Sequence, residues 1–507
     1  YTFRARFVAD SVATRRAVDV YESAGDVPGV VEAKASVRNV VVNDRLSPEA
    51  ARAIRESLAG TSCQVRQNAP LEMGFPYNFY YGSNHSHSNW SDGGHPPAVP
   101  ATSNCSSGNG NGTFTPTNIY AYVVANAGLD YWVVNEHNHL FDDAMNVNLP
   151  PSTEAKIKQR YQDGRTAAAA VTVNDSFIGI YGMEWGVISN GGHITLLDTP
   201  VLFGWETCST CTGAAQECIT GTNCYFDVYT PKSNYPTLYA RSVANPSPAG
   251  PLGAFCHPDY DNATGHVYDY GNLAFDANAD AAVQGIAIRS GLAFSSQENC
   301  ADGNVALRDY WPAWKDALNK GFHVAPTADH DSHCNNYGVA LPTRTVYLLP
   351  NGSAPVLTKT ALLQAHASRH FFASEDSNAQ LVFATMDGAH VMGDIFTATD
   401  FVPLRAAVYD PNVGEGVATL ELWKGQAGAG VPLMPVYTVS AQSSLSFTDS
   451  VSNGTYYYYV HAVQSDGHDL WSAPMWITYN VPTCGPDASL PAVTPPSDLA
   501  VTQSACE

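Results

Sequence analysis

The chain has 507 residues, a length that predicts two or three domains rather than a single core. Hydrophobic residues make up 45% of it and charged residues 14%, as in a globular protein. The net charge of −22 argues against a nucleic-acid partner and against binding to an anionic membrane surface. Because the chain contains no apolar run of about 18 residues, we expect no membrane-spanning helix.

Residues 1–75 are predicted to form an N-terminal extension or a small subdomain. The segment SPEAARAIRESLAG indicates a helix, with Ser47 as its N-cap, Pro48 at its first position and Gly60 at its end. The sequence starts at Tyr1 and shows no signal peptide, so we expect a mature chain whose start was created by processing.

Residues 76–375 alternate short apolar runs with helix-like stretches. The predicted strands are NFYYGS, LDYWVVNE, FIGIYGME, HITLLD, GAFCHP, GIAIRS, FHVAPTAD and TRTVYLL. The predicted helices are PSTEAKIKQRYQDG, DYWPAWKDALNKG and LTKTALLQAHAS. Repeated alternation of strand and helix favours the α/β class, as a barrel or a doubly wound sheet.

An insertion at about residues 205–228 contains four of the eleven cysteines, in CSTCTGAAQECITGTNC. Cys208 and Cys211 have the Cys-x2-Cys spacing of a zinc half-site, whereas Cys218 and Cys224 are spaced irregularly. This spacing favours disulfides, with a zinc knuckle as the alternative. Disulfides, few lysines and many Asn, Thr and Tyr residues predict a secreted or periplasmic protein.

After residue 380 the pattern changes to short strands separated by turns. The predicted strands are LVFATM, VPLRAAVYD, ATLELWKG, SLSFTD, GTYYYYVHAVQ and APMWITY. Alternation of this kind predicts an all-β sandwich domain over residues 380–482. Residues 483–507 form a Pro-rich tail, in which Cys484 and Cys506 can close a further disulfide.

Imidazole and carboxylate side chains stand at the ends of the strands predicted within residues 76–375. His85 and His87 are one residue apart after the first of these strands, so both can face the same point. Further strands end in Glu136 and His137, in Glu184, in His257, and in Asp331 with His333, whereas His193 opens the strand HITLLD. Parallel α/β barrels carry their sites at this end of the strands, and these ligand types bind Zn, Mn or Fe. The sequence therefore predicts a metal site.

The order of these motifs resembles the PHP (polymerase and histidinol phosphatase) superfamily. The shared pattern, over about residues 76–375, is H-x-H-S…S-D-G, E-H-N, G-M-E with a following His, H-P and D-S-H. The segments GFHVAPTADHDSH and RHFFASED, followed by a β domain, resemble its carbaryl-hydrolase-like branch. The resemblance implies a distorted (β/α)7 barrel of PHP type that holds two or three divalent metal ions, Zn, Mn or Fe.

The resemblance also implies a role for each matched residue. Carried over by position, the metal ligands are His85, His87, Asp92, His137, Glu184, His193, His257, Asp331 and His333. Glu184 is expected to bridge two ions, and Asp92 stands where some members of the superfamily have a further ligand. Glu136 stands where the superfamily usually has Asp, so it either binds metal or orients His137.

Several neighbouring residues have alternative interpretations. Cys256 precedes His257 and is predicted to face the opposite way, as a buried structural thiol rather than a ligand. Arg289, at the end of GIAIRS, either clamps an anionic oxygen of the substrate or makes an ordinary salt bridge. Asp329 competes with Asp331 as a ligand, and the D-S-H motif favours Asp331. The histidines outside the motifs are predicted not to bind metal: His95, His139, His266, His323 and His330.

The predicted function is hydrolysis of a small-molecule phosphate ester by metal-bound hydroxide, as a phosphomonoesterase or phosphodiesterase. The predicted catalytic residues are Glu184, Asp92, His257 and Arg289. The strand ends carry no G-x-S-x-G nucleophile elbow, which argues against an acyl-enzyme. Two alternatives stay open: a carbamate or carboxylic ester hydrolase of the carbaryl-hydrolase type, and a non-catalytic module that binds metal or glycans.

Overall fold

The structure is a computed structural model that describes residues 3–9, 16–22, 68–98, 104–105, 112–138, 154–187, 191–205, 226–258, 270–298, 307–412 and 414–481. The predicted helix at residues 47–60, the four cysteines of the insertion and the Pro-rich tail lie outside the described residues, as do His139 and His266. At the N-terminus, β1 (Phe3–Ala9) and β2 (Arg16–Glu22) pair in antiparallel fashion.

Strands and helices alternate between residues 77 and 374. In chain order they are β3 (Tyr77–Gly82), α1 (Pro116–Asn126), β4 (Tyr131–His137), α2 (Glu154–Val171), β5 (Ile178–Val187), β6 (Gly192–Leu197), β7 (Phe203–Gly204), β8 (Val228–Tyr229), α3 (Tyr235–Ala244), β9 (Gly253–Cys256), α4 (Ala277–Ala282), β10 (Gly285–Ser290), β11 (Arg308–Asp309), α5 (Trp311–Asn319), β12 (Ala325–Asp329), β13 (Arg344–Pro350), α6 (Lys359–Ala367) and β14 (Phe371–Ser374). All eight strands predicted in this part are present, because each coincides with an apolar run whose side chains are largely buried.

Six of these strands form a curled sheet in the order β4–β5–β6–β9–β10–β12, which the short β11 extends beside β10. Parallel pairing joins β4 to β5, β9 to β10 and β10 to β12. Antiparallel pairing joins β6 to both of its neighbours. The connection between β5 and β6, residues 188–191, is too short for a helical crossover, and this explains why the two strands run in opposite directions.

Residues 83–87, which follow β3, hydrogen-bond to the strands at both edges of the curled sheet. The backbone hydrogen bonds run from Val133 N to Ser83 O, from Asn135 N to Ser86 O, from Asp331 N to His85 O and from His87 N to Ser332 O. These bonds reach β4 on one side and the segment after β12 on the other. They hold His85 and His87 at the rim where the parallel strands end.

The structure is a mixed α/β fold with a curled sheet and additional sheets, which confirms the predicted class. The described residues contain six helices, and none of them lies between β5 and β6. The regular strand–helix alternation of a (β/α)7 barrel is therefore not what this part of the chain displays. None of the six helices is long and apolar enough to cross a membrane.

The described elements after residue 376 are all strands, as predicted. They are β15 (Gln380–Thr385), β16 (Ile395–Ala398), β17 (Pro403–Tyr409), β18 (Val417–Gly425), β19 (Tyr437–Ser440), β20 (Ser444–Thr448), β21 (Gly454–Gln464), β22 (Asp469–Ser472) and β23 (Met475–Tyr479). β15, β17 and β20 form a three-stranded antiparallel sheet. The others join a nine-stranded sheet that runs through β22 and β14 to β13 and β3. Strand pairing thus crosses the predicted boundary, and the division into domains stays a prediction.

Aromatic packing connects α5 with the C-terminal strands. The ring centroid of Trp311 lies 5.5 Å from that of Trp423 and 5.8 Å from that of Trp471. Trp314, one turn along the same helix, is fully buried and lies 4.6 Å from the ring of Tyr459. Aromatic pairs at these distances contribute about 0.5–1.5 kcal/mol each beyond the area that they bury. This contact fixes α5, and with it the neighbouring β10 and β12, against the C-terminal sheet.

Candidate metal centre

All nine predicted metal ligands lie together at the rim of the curled sheet. His137 is the last residue of β4, Glu184 lies in β5, and His193 lies in β6. Groups in which all donor atoms lie within 4.8 Å of one another are His87 with Asp92, His137 and His333; His85 with His87 and Asp331; His137 with Glu184 and His193; and His85 with Glu184 and Cys256. Strand ends that are far apart in the sequence therefore meet at one place.

The buried carboxylate of Glu184 lies at the middle of these groups. From its Oε1 the distances are 3.2 Å to His85 Nε2 and 2.9 Å to both His193 Nδ1 and His257 Nε2; from its Oε2 they are 3.2 Å to His87 Nε2 and 2.8 Å to His137 Nδ1. Each oxygen faces a different set of imidazoles. A carboxylate placed in this way would be able to contact metal ions held by either set of imidazoles.

Two further carboxylates, those of Asp331 and Asp92, contact the same imidazoles. Asp331 Oδ1 lies 3.5 Å from His85 Nε2 and 3.3 Å from His87 Nε2. Asp92 Oδ1 lies 3.6 Å from His137 Nε2 and 3.3 Å from His333 Nε2. Three carboxylates therefore share one largely buried volume with six imidazoles. Such a density of negative charge needs positive charge within it.

The residues of this centre fit divalent metal ions. Nε2 of His85 and Nε2 of His87 lie 3.0 Å apart and point at the same carboxylates. Asp92 Oδ1 and Glu184 Oε2 are buried and accept no hydrogen bond from the described part of the chain. Imidazole nitrogens and carboxylate oxygens in this proximity are ligands for Zn, Mn and Fe. The buried cluster can therefore hold metal ions, as predicted.

Two residues of the centre have a left-handed backbone, His257 with φ of 37° and Asp331 with φ of 51°. Residues other than glycine adopt this region rarely and at a cost of about 1–3 kcal/mol, most often at functional sites. At His257 the turn directly follows the end of β9, so Cys256 reaches Glu184 as well, with Sγ 3.2 Å from Oε1. Cys256 is buried and free, as predicted, but the predicted opposite orientation is wrong because the strand ends before His257.

Glu136 supports the loop that leads to Asp92. Its Oε2 accepts hydrogen bonds from Ser88 N (3.2 Å) and Ser91 Oγ (2.6 Å), and its Oε1 accepts one from Ser88 Oγ. These contacts support a third role, in which Glu136 holds this loop in place, and the two roles considered from the sequence stay predictions. Sequence reasoning missed the two serines, although they stand within the motif HSHSNWSD.

The residues predicted to lie outside the ligand set have other partners. Asp329 accepts hydrogen bonds from Asn84 N (2.7 Å) and Thr345 Oγ1 (3.1 Å), which fixes the start of the segment after β3. The histidines outside the motifs have partners of their own. His95 Nε2 lies 2.7 Å from Asp92 O, His330 Nε2 lies 3.0 Å from Thr343 O, and His323 Nδ1 lies 2.9 Å from Asp280 Oδ2. Asp331, and not Asp329, joins the cluster, in agreement with the motif.

The contacts of Arg289 lie among carboxylates outside the cluster. Its guanidinium contacts Glu375 Oε1 (2.5 Å), Asp469 Oδ2 (3.6 Å) and Asp309. The same group lies 4.5 Å from the ring centroid of Trp471. Of the two interpretations, these contacts support the salt bridge, which here connects the end of β10 to β22 and to the segment after β14. These contacts give no support to the predicted catalytic role of Arg289.

Replacing Arg289 by methionine is expected to destabilise the fold without removing metal. The substitution keeps an apolar stem but removes the cationic partner of Glu375 and leaves Asp469 with His461 alone, at a cost of about 3 kcal/mol. Urea unfolding should show the loss, while elemental analysis at low temperature should give the metal content of the unchanged protein. If the variant kept normal stability but lost turnover, the alternative interpretation, in which Arg289 binds an anionic oxygen of the substrate, would be supported instead.

Burial and neighbouring carboxylates set the charges within the centre. Burial opposes ionisation of Glu184, but the imidazoles of His193 and His137 hold the pKa of its carboxyl well below its usual value. Burial likewise lowers the pKa of His85 and His137, but Glu184 outweighs it and, with the flanking aspartates, raises these pKa values to about 9 and about 10. For His193 burial prevails and lowers the pKa to about 4. The centre therefore combines protonated and neutral imidazoles when metal is absent.

Metal binding to the metal-free protein is expected to release protons. At pH 7 the imidazoles of His85 and His137 carry protons, because their pKa values of about 9 and about 10 lie above that pH. A metal ligand must be a neutral imidazole, so Zn²⁺ or Mn²⁺ has to displace these protons, and affinity should rise with pH up to that range. Titration calorimetry in buffers of different ionisation enthalpy measures the release. A binding enthalpy that did not depend on the buffer would contradict it.

A disulfide that the sequence did not indicate lies beside the centre. Cys105 and Cys334 are bonded, with their Cα atoms 6.0 Å apart and a separation of 229 positions in sequence. Cys334 directly follows His333, and Cys105 N donates a hydrogen bond to Phe294 O. The bond thereby ties three separate segments together next to a predicted ligand.

No family model matches the chain, and no curated protein matches it. Among solved structures, it is similar to the superoxide reductase (neelaredoxin) from Ignicoccus hospitalis, with a TM-score of 0.15 and 16% identity over 20% of this chain and 79% of that one. It is also similar to fibronectin(III)-like modules of Clostridium thermocellum CbhA (TM-score 0.14, 17% identity, 19% and 93% covered). The endo-beta-1,4-mannanase from Thermotoga petrophila covers more of the chain (TM-score 0.15, 10% identity, 72% and 70%). TM-scores this low carry no argument about fold or function.

Proposed function

We propose that this protein is a multimetal-dependent hydrolase of PHP type that cleaves phosphate esters of a small molecule. The observation that carries the proposal is Glu184, whose two buried carboxylate oxygens face different imidazoles. A pair of bridged ions suits in-line displacement at phosphorus. The hydrogen bonds from residues 83–87 to both edges of the curled sheet support a closed barrel of PHP type, despite the antiparallel β6.

The side chains of the centre would hold the ions and leave one side open. Divalent ions lower the pKa of water towards neutrality and neutralise the charge that develops on ester oxygens. His85, His87 and Glu184 have side chains that are at most 2% exposed, so they form the closed base. Asp92, at 17%, and Asp331, at 13%, mark the side from which a substrate can approach.

A carbamate or carboxylic ester is the second candidate substrate, and Phe294 is the observation that favours it. Its ring centroid lies 4.4 Å from that of His333, and the side chain is half-buried. The loop that carries it is fixed by the hydrogen bond from His333 N to Ala293 O. An aromatic side chain at the edge of the centre offers packing to an aryl group of the ester.

We also propose that the protein acts in an oxidising compartment, secreted or periplasmic. The disulfide between Cys105 and Cys334 supports this, since such bonds persist mainly outside the cytosol. Thiol labelling of protein isolated from its native source, before and after reduction, tests the idea. Free Cys105 and Cys334 in native material would contradict it.

The experiment that tests the hydrolase combines elemental analysis with turnover. Protein purified without added metal is analysed for Zn, Mn and Fe. It is then assayed with p-nitrophenyl phosphate, bis-p-nitrophenyl phosphate and a naphthyl carbamate. Two or three equivalents of metal with phosphoester turnover are the expected result, because the predicted ligand set holds that number of ions.

Each other outcome has a defined meaning. Carbamate turnover alone would move the assignment to the second candidate. Bound metal without turnover of any of the three esters would leave a non-catalytic metal-binding module. No bound metal, and no activity after Zn or Mn is added, would overturn the metal centre itself.

A further inference from the structure

Three polar turns of the C-terminal strands meet at a distance in sequence from the candidate metal centre. They follow β14, follow β17 and connect β21 to β22: residues 376–378, 410–412 and 464–468. Asn378 Nδ2 donates a hydrogen bond to Asn412 Oδ1 (3.1 Å), and Gln464 Nε2 donates one to Asp410 Oδ2. Side chains of all three turns are therefore in contact.

Two carboxylates and an imidazole come together within these turns. Donor atoms of Asp376, Asp466 and His468 lie within 4.8 Å of one another. Asp376 is fully buried, and its Oδ1 accepts hydrogen bonds from the backbone N of Asn378 (2.6 Å) and Ala379 (2.7 Å). A buried carboxylate beside a second carboxylate is costly unless a cation lies between them.

Two buried carboxamide oxygens supply an independent observation. Gln464 is 1% exposed and Asn378 is 3% exposed. Gln464 Oε1 and Asn378 Oδ1 accept no hydrogen bond from any residue that the structure describes. Their amide nitrogens are already fixed as donors, which determines the orientation of the oxygens. A buried oxygen of this kind costs about 1–3 kcal/mol when nothing binds it.

The turn that carries Gln464 also carries Asp466 and His468. Gln464 N donates a hydrogen bond to His468 O (2.8 Å), so residues 464–468 form a closed turn. Asp466, at its tip, is exposed and lies 2.7 Å from His468 Nδ1. Gln464 therefore belongs to the same closed turn as Asp466 and His468.

We propose that these turns form a second cation site, distinct from the candidate metal centre, for a divalent ion that prefers oxygen ligands. Asp376 and Asp466 supply charged oxygens, Gln464 and Asn378 supply neutral ones, and His468 supplies one nitrogen. Ca²⁺ and Mn²⁺ both accept such a set. The ion joins the segment after β14 to the turn between β21 and β22 and stabilises both. The proposal does not depend on the proposed hydrolase.

The test is the thermal unfolding of the full chain after chelation, with and without added CaCl2 or MnCl2. Unchanged protein is compared with Asp466→Asn, in which an exposed side chain loses its charge without a change in shape. Asp400→Asn, another exposed aspartate near the same strands, is the matched control. Glu184→Gln is measured in parallel, because Mn²⁺ that binds the candidate metal centre also stabilises the protein.

With CaCl2 the expected result is a rise in Tm in the unchanged protein, in Asp400→Asn and in Glu184→Gln, and its loss in Asp466→Asn. With MnCl2 the comparison is made in the Glu184→Gln background, where the added Asp466→Asn change is expected to remove the rise. A rise with CaCl2 assigns Ca²⁺, and a rise with MnCl2 alone assigns Mn²⁺. Direct titration should show the affinity of Asp466→Asn to be lower by at least about tenfold. No rise with either ion, or a rise that the Asp466→Asn change leaves unaltered in these comparisons, overturns the proposal.

Discussion

Replacing Glu184 by glutamine is expected to abolish ester hydrolysis and to lower the metal content of the purified protein. Glutamine has the same shape, but one oxygen becomes an NH2 group that donates hydrogen bonds and cannot bind a metal ion. Both oxygens of Glu184 are in contact with imidazoles, so neither orientation of the amide preserves both contacts. Loss of a group that merely supports a metal ligand lowers activity about 10- to 100-fold, and we expect at least about 100-fold here.

The matched control is Glu421→Gln. Glu421 is a half-buried glutamate whose Oε2 lies 3.0 Å from His461 Nδ1 on the C-terminal sheet, so it reproduces the chemistry of the change away from the centre. Metal content, kcat/KM and the circular dichroism spectrum are measured for both variants. Glu421→Gln should match the unchanged protein in metal and turnover. Full turnover and full metal content in Glu184→Gln would show that the predicted cluster is wrong.

Replacing both Cys105 and Cys334 by serine is expected to lower the free energy of unfolding by about 2–5 kcal/mol. The bond joins residues separated by 229 positions, so its removal restores much conformational freedom to the unfolded chain. The native centre should loosen as well, because Cys334 follows His333, whose Nε2 lies 3.3 Å from Asp92 Oδ1. We therefore also expect faster loss of metal to a chelator.

Urea unfolding and the rate of metal transfer to a chelator measure these two effects. The double variant is the clean comparison, because each single replacement leaves a reactive thiol. Asn104→Ser, a change beside the disulfide that keeps both cysteines, serves as the control and should behave like the unchanged protein. An unchanged unfolding midpoint and an unchanged rate in the double variant would mean that the bond does not support the centre.

Local patterns were sufficient to predict the strands. β4 and β5 are buried along nearly their whole length, and the sequence accordingly shows uninterrupted apolar runs there. Helix α1 escaped prediction although a signal was present. Thr115 and Asn118 form a capping box, and Pro116 occupies the first helical position. Both features can be read from the letters TPTN.

Strand order and direction were beyond such patterns. The regular barrel implied by the resemblance has parallel neighbours, whereas β6 is antiparallel to both of its own. The pairing of β14 with β22 could not be predicted from such patterns either, since the paired residues Phe372 and Ser472 are 100 positions apart. Pairing between distant strands depends on which edges remain free after the nearer strands have paired.

Local patterns were enough to predict which side chains could gather into a metal centre. Most of the predicted ligands end an apolar run or follow one closely, and the chain leaves a strand at its rim wherever such a run ends. Only the tertiary structure decided what each acidic residue and cysteine does. Glu136 and Glu184 both lie near the ends of parallel strands, yet one faces serine donors and the other faces imidazoles. Contacts of this kind are set by distances in space between segments that the sequence holds far apart.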